Sequence, residues 1–205
     1  MSALLRQAGA GLRVLLVLTV LTGVVYPLAV WGTAHLPGLA SRAEGSQLEL
    51  DGQPVGSALI GVDLVAADPN TDPWFHTRPS ASASDALGPG DPSTSGGSNK
   101  ATSNPELTKL IEQRRTLIAT RETVAPSAVP PDAVTASASG VDPHISPAYA
   151  ALQVPRVARV NGLSEQRVRD LVDAHTDRPF LSFLGEAGVN VLRLNIAVRQ
   201  ERRAG

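Results

Sequence analysis

The chain has 205 residues and not one cysteine. That removes a disulfide framework, thiolate metal sites and a cysteine nucleophile from consideration. Aromatic residues make up only 3 % of the sequence. Its core must therefore rest on Val, Leu, Ile and Ala, which implies moderate burial and help from a partner. Lysine occurs only at Lys100 and Lys109, and the formal net charge is −1. Such a balance offers no basic stripe, so nucleic-acid binding is set aside. The run GGSNKAT at 96–102 is glycine-rich but lacks the GxxxxGK[ST] spacing that cradles a triphosphate. No internal repeat is present.

What is present is one long apolar run. Residues 14–34 carry no charge, and Arg6 and Arg13 lie just before them. About 20 apolar residues span the hydrocarbon core of a bilayer as a helix. Arg42, Glu44, Glu49 and Asp51 follow the run with a net negative balance. An excess of Lys/Arg marks the cytoplasmic side. The sequence therefore predicts residues 1–13 as a cytoplasmic N-terminus, 14–36 as a transmembrane helix and 37–205 as an extracytoplasmic domain. Trp31 falls where an outer interfacial aromatic belt is expected. A cleaved secretory signal with a cut near Leu39-Ala40 is the rival reading, but secretory apolar regions are typically about 7–15 residues. Both readings export the domain.

Beyond the anchor, the pattern predicts a small α+β domain. Residues 46–50 and 54–60 flank Asp51-Gly52, a hairpin turn signal. Residues 80–103 read as a long loop, the kind that contacts a partner or moves. Asn104 and Pro105 open a helix with Leu107, Leu110, Ile111, Arg114, Leu117 and Ile118 on one face. A Pro-rich break covers 122–131. Ser146-Pro147 opens a second helix that should bend or end at Pro155, where the helical donor is missing. Ser164 caps a third, with Val168, Leu171 and Val172 inward. Leu192, Leu194, Ile196 and Val198 alternate with polar or small residues and predict a closing strand.

Catalytic and metal-binding patterns are sparse. His35, His76, His144 and His175 occur singly, without HxH or HExxH pairing. Asp142-Pro143-His144 is the one local carboxylate–imidazole pair, and ordinary turn chemistry accounts for it. A hydrolase could be assembled from Ser137 or Ser139 with His144 and Asp142, but no GxSxG elbow supports it. The segment around these residues is unusual in another way. Small side chains from Thr135 to Gly140 permit close backbone approach and lead into a capped helix start. Ser137, Ser139, Gly140, Asp142 and His144 are the expected docking loop for a partner.

That same segment carries a resemblance. The run TASASGVDPHISP at 135–147, followed by QVPRVA at 153–158, resembles the C subunit of the bacterial Kdp potassium-transporting ATPase. Further matches are GSALIG at 56–61, WFHTRPS at 74–80, SGGSN at 95–99, SNP at 103–105, NGLS at 161–164, LVDAHT at 171–176, LGE at 184–186 and VNVL at 189–192. The likeness runs in order along nearly the whole chain. Lys100, Ala101 and Thr102 depart from the family's usual apolar–Gly–Pro stretch, and residues 84–94 and 122–131 are idiosyncratic.

The resemblance implies an accessory, non-catalytic subunit of a high-affinity, ATP-driven potassium uptake pump in the cell membrane. Its partners would be a channel-like potassium-binding subunit, a P-type ATPase subunit and a small membrane peptide. ATP and potassium would be handled by those partners, with no cofactor of the chain's own. The family is proposed to act as a catalytic chaperone that raises ATP affinity, and the glutamine suggested to touch nucleotide falls on Gln153. The alternative from a different class is a membrane-anchored exported hydrolase.

Overall fold

The structure is a computed structural model that describes residues 2–179 and 185–204. Leu184 of the LGE match lies outside the described residues. The chain divides into two compact units, Met1–Ser46 and Gln47–Gly205.

The first unit is dominated by one continuous helical rod. Helix α1 (Ser2–Val20) passes through a π-turn at Leu21–Val25 into α2 (Tyr26–Ala34). The wide turn falls immediately before Pro27, which removes a backbone donor and would crowd a straight α-helix. There the Tyr26 N–H reaches back to the Leu21 carbonyl. Ala3–Ala34 is long and apolar enough to cross a membrane, and its apolar side chains are unburied by protein. The helix stops at His35, whose Nδ1 and backbone N–H both meet the Trp31 carbonyl. A short α3 (Ala40–Ala43) closes the unit.

The second unit opens with the expected hairpin. Strands β1 (Gln47–Leu50) and β2 (Gln53–Ser57) pair antiparallel around Asp51 and Gly52, both at positive φ. Strand β2 stops at Ser57, short of the expected 54–60 span, because the Ser57 hydroxyl and carbonyl turn the chain at Leu59 and Ile60. Residues 80–103 form turns and loop without a regular element.

Helix α4 (Pro105–Glu122) starts where Asn104 accepts hydrogen bonds from the N–H groups of Glu106 and Leu107. Its buried face is Arg114, Ile118, Ala119 and Glu122, while Leu117 is left exposed. Thr123 ends it in the left-handed conformation. After a 3₁₀ turn at Pro126–Ala128 comes the single turn α5 (Pro131–Val134).

Strand β3 (His144–Ile145) then leads into α6 (Pro147–Asn161), capped by Ser146. Of the two expected outcomes at Pro155, a bend or an end, the end does not occur: α6 continues through it. Pro155 and Ala151, whose carbonyl loses its helical donor there, both face solvent. Water can serve that carbonyl, while Gln153, Val154, Arg156, Val157 and Ala158 keep the inner face buried. Helix α7 (Glu165–Ala174) follows, with Ser164 as cap and Val168, Leu171 and Val172 buried. Strands β4 (Thr176–Asp177) and β5 (Gly188–Asn190) complete a small antiparallel sheet of order β3-β5-β4.

The closing strand predicted at 192–198 is a helix, α8 (Val191–Ala204). Its buried residues are Val191, Leu192, Leu194, Asn195 and Val198, the spacing of one helical face. Leu192, Leu194 and Val198 satisfy a period of two and a period near 3.6 alike, and strand β5 ends just before them. Asn195 breaks the tie. In a strand it would share the outward polar face with Arg193, whereas the helix turns it inward. Helix α6 packs against α4, α7 and α8, and Phe75, Ile118, Tyr149, Val157, Val168, Val189 and Leu194 fill the core among them.

Asn195→Ala should therefore cost about 2 kcal/mol through two unpaired backbone groups, and Arg193→Ala should stay within about 0.5 kcal/mol. Chemical denaturation of the full-length chain measures both; equal small costs would contradict the inward face of α8.

Candidate functional site

Two polar regions of the second unit stand out, and both are built on an extended segment, residues 72–80. Among the described residues this segment has no strand neighbour. Helical side chains take that role. Asn195 of α8 accepts from the Phe75 N–H at 2.8 Å and donates to the Phe75 carbonyl at 2.9 Å. Gln153 of α6 accepts from the His76 N–H at 2.8 Å and donates to the His76 carbonyl at 3.3 Å. Arg156 donates to the carbonyls of Asp72 and Trp74, and Asn161 donates to that of Pro73. The amides of Asn195 and Gln153 thus reproduce the paired donor and acceptor of a β-ladder.

A buried charge network surrounds this segment. Arg156 Nε meets both carboxylate oxygens of Glu122, at 3.2 and 3.0 Å, and its Nη2 donates to Gln153 Oε1 at 3.1 Å. Arg121 donates to Glu122 at 2.7 Å and to the Tyr149 hydroxyl at 3.0 Å. His76 sits between two carboxylates, with Nδ1 2.8 Å from Asp63 and Nε2 2.5 Å from Asp72. In the imidazolium form both ring nitrogens donate. Burial by itself would push the Asp72 carboxyl up. The His76 hydrogen bond, the charges of His76 and Arg156, and the Trp74 N–H together hold it below its ordinary value. Burial likewise drives the Tyr149 hydroxyl up. The network borders a cleft of about 890 Å³ whose walls include Asp63, Asp72, His76, Arg121, Arg156 and Arg159.

Gln153 is not on that wall. It is fully buried, and its amide is committed to His76 and Arg156. Arg156, not Gln153, is the residue of this pair that lines the cleft.

The second region is the expected docking loop. Ser137 N–H donates to the Pro79 carbonyl at 2.9 Å, and its hydroxyl accepts from Gly140 N–H at 3.0 Å. Ser139 Oγ accepts from Val141 N–H, while its carbonyl accepts from Gly96 N–H at 2.7 Å. Gly140 has φ 73°, and a Cβ there would lie 2.6 Å from the Gly96 carbonyl oxygen. Only glycine fits both constraints. The small residues thus serve to weld 135–141 to 95–97 and, through the Gly61 N–H to Val141 carbonyl bond, to the segment after β2.

Asp142 and His144 lie on the far side of this loop. Asp142 Oδ1 accepts from the His144 N–H at 2.9 Å, and its Oδ2 is 3.4 Å from Arg78 Nη1. His144 Nε2 approaches Asp177 at 3.2 Å. Both residues line a cleft of about 390 Å³ with Asp132, Asp177 and Glu186; Ser137, Ser139 and Gly140 do not. The hydroxyls of Ser137 and Ser139 bond to each other at 3.1 Å and to backbone, and neither bonds His144. The structure does not bring Ser137 or Ser139 to His144 in a serine–histidine relay. Among the described residues no group of three His, Asp or Glu side chains is placed to hold a metal ion.

The residues that sequence reasoning missed are Asp63, Asp72, His76, Glu122, Arg156, Asn161 and Asn195. One signal was available: Glu122 lies four residues after Ile118, on the same helical face.

One apolar helix long enough to cross a bilayer precedes a mixed helix–strand domain, an arrangement consistent with a single-pass membrane subunit. Its family is narrower. Residues 8–200 match the family model KdpC, described as the K+-transporting ATPase c chain. The potassium-transporting ATPase KdpC subunit of Kineococcus radiotolerans is 50 % identical over 196 residues, covering 96 % of this chain and 94 % of that one. The KdpC subunit of Streptomyces coelicolor is 44 % identical, covering 92 % and 90 %, and that of Mycobacterium tuberculosis is 46 % identical, covering 94 % and 97 %. The chain belongs to the KdpC family of potassium-transporting ATPase subunits.

Two outcomes follow from the buried network. Gln153→Leu keeps the volume but strips partners from His76 and Arg156, and should cost about 2–4 kcal/mol. Thermal unfolding of the detergent-solubilised chain reads this as a lowered midpoint. Asp72 has a folded-state pKa below its unfolded value of about 3.9. Its stabilisation is therefore complete above about pH 4 and is lost as pH falls through the folded value. The stability gap between wild type and Asp72→Asn should narrow on acidification across that window, as measured by urea midpoints.

Proposed function

We propose that the chain is a non-catalytic accessory subunit that assembles and stabilises a potassium-transporting P-type ATPase. Residues 1–13 lie in the cytoplasm, 14–36 cross the membrane, and the α+β domain lies outside. There it caps the mouth of a channel-like potassium-binding subunit, beside the P-type catalytic subunit and a small membrane peptide. Any gain in ATP affinity reaches the catalytic subunit through the assembly, without a nucleotide contact at Gln153.

The observation that carries this reading is the charge asymmetry about one apolar span in a chain of this family. Arg6 and Arg13 precede the span without an acid, and acids outnumber Arg42 after it. Two facts support the indirect role in ATP use. Gln153 is enclosed and fully bonded, and a direct contact would require both an open pocket and access to cytoplasmic ATP. The weld between 61, 95–97 and 135–141 gives the loop of Ser137, Ser139, Gly140, Asp142 and His144 a rigid shape. Preformed rigidity lowers the ordering cost of docking.

Protease protection of a C-terminal tag tests the topology. The tag should be cut in right-side-out vesicles and shielded in inside-out ones. The reverse pattern would place the domain with ATP and overturn the proposal.

A further inference from the structure

Helix α4 carries a buried cation with no counter-charge. Arg114 is 3 % exposed, and alone among the buried charged side chains of the described residues it has no ion pair. Its Nε donates to the Ala86 carbonyl at 2.9 Å and its Nη1 to the Val134 carbonyl at 3.2 Å. Both acceptors are neutral. Nη2 bonds nothing and is not sealed from solvent. An enclosed guanidinium without a carboxylate is an expensive arrangement, and burial pushes Arg114 down from its ordinary value with nothing opposing it.

Arg114 forms part of the wall of a cleft of about 580 Å³ that also contains Ser98, Lys100 and Gln113. The Ser98 hydroxyl and the Gln113 amide have no hydrogen-bond partner among the described residues. Lys100 stands at the rim, paired with exposed Glu106. Arg114 and Lys100 set two positive charges on the lining against the single carboxylate of Asp85, and the Ser98 hydroxyl and the Gln113 amide add two unused neutral groups. Asp85 on the same wall disfavours a doubly charged phosphate. A singly charged carboxylate matches the balance, and a guanidinium is the side chain best shaped to take one. Gly97 and Ala136 also line the cleft, so it adjoins the rigid docking loop.

We propose that this cleft receives a carboxylate side chain, Asp or Glu, from another subunit of the pump, which completes the ion pair of Arg114. The inference rests on the accessory-subunit reading above. In the free chain the cation is held by two carbonyls with Nη2 left open, so the incoming carboxylate meets a preorganised donor.

The test places a competing carboxylate in the cleft. Full-length Ser98→Asp is co-expressed with the other pump subunits, with Ser98→Asn as the neutral control. Ser98→Asp should leave the thermal midpoint of the solubilised chain unchanged or raised. It should lower recovery of the other subunits on affinity purification by about tenfold, the scale of one lost interfacial charge pair. Ser98→Asn should recover them as wild type does. Wild-type recovery by Ser98→Asp, or an equal loss in both variants, would overturn the proposal. So would an Arg114-dependent rise in midpoint with inorganic phosphate alongside normal assembly of Ser98→Asp, which would give the cleft to a free anion. Failure of wild type itself to recover any partner would instead overturn the subunit reading on which the inference rests.

Discussion

The second unit depends on a strip of extended backbone that has no strand beside it. Buried N–H and C=O groups must find partners, and residues 72–76 find most of theirs on helices. Asn195, Gln153, Arg156 and Asn161 clothe that strip from α6 and α8. The two helices are thereby fixed in register to a segment distant in sequence from both. The apolar core supplies area around them, but it contains few aromatics to lock a unique packing. Directional bonds supply that uniqueness.

The charges follow from the same arrangement. Once Arg156 is drawn inward to serve the carbonyls of Asp72 and Trp74, its own charge needs compensation. Glu122 and Asp72 provide it. Glu122 then draws in Arg121, and Asp72 draws in His76, which reaches Asp63. Three carboxylates meet two guanidiniums and an imidazole, and the cluster closes on itself. The loop at 135–141 is held by similar means but without charge: small residues let three backbone segments bond directly. Arg114 stands apart because its bonds end on neutral carbonyls.

Much of the layout was legible because it obeys local rules. Residues 14–34 announce themselves by length and lack of charge, Asp51-Gly52 by turn chemistry, and Asn104, Ser146 and Ser164 by capping. Where two local rules agreed with the same residues, the reading failed. Leu192, Leu194 and Val198 fit a strand and a helix equally, and the inward role of Asn195 depends on Phe75, which lies 120 residues away. Pro155 signals a bend or an end in isolation, and its exposed position on α6 lets the helix continue.

Composition, short-range pattern and motif order carry the long apolar N-terminal helix, the α+β class, most helix starts and the family. The tertiary structure alone decided which polar residues are interior. Asp63, Asp72, His76, Glu122, Gln153, Arg156 and Asn195 read individually as ordinary surface residues. They become one buried network only when α4, α6 and α8 converge on the unpaired strip. Burial of a polar group is permitted by its partners, and those partners are set by long-range packing that no local pattern encodes.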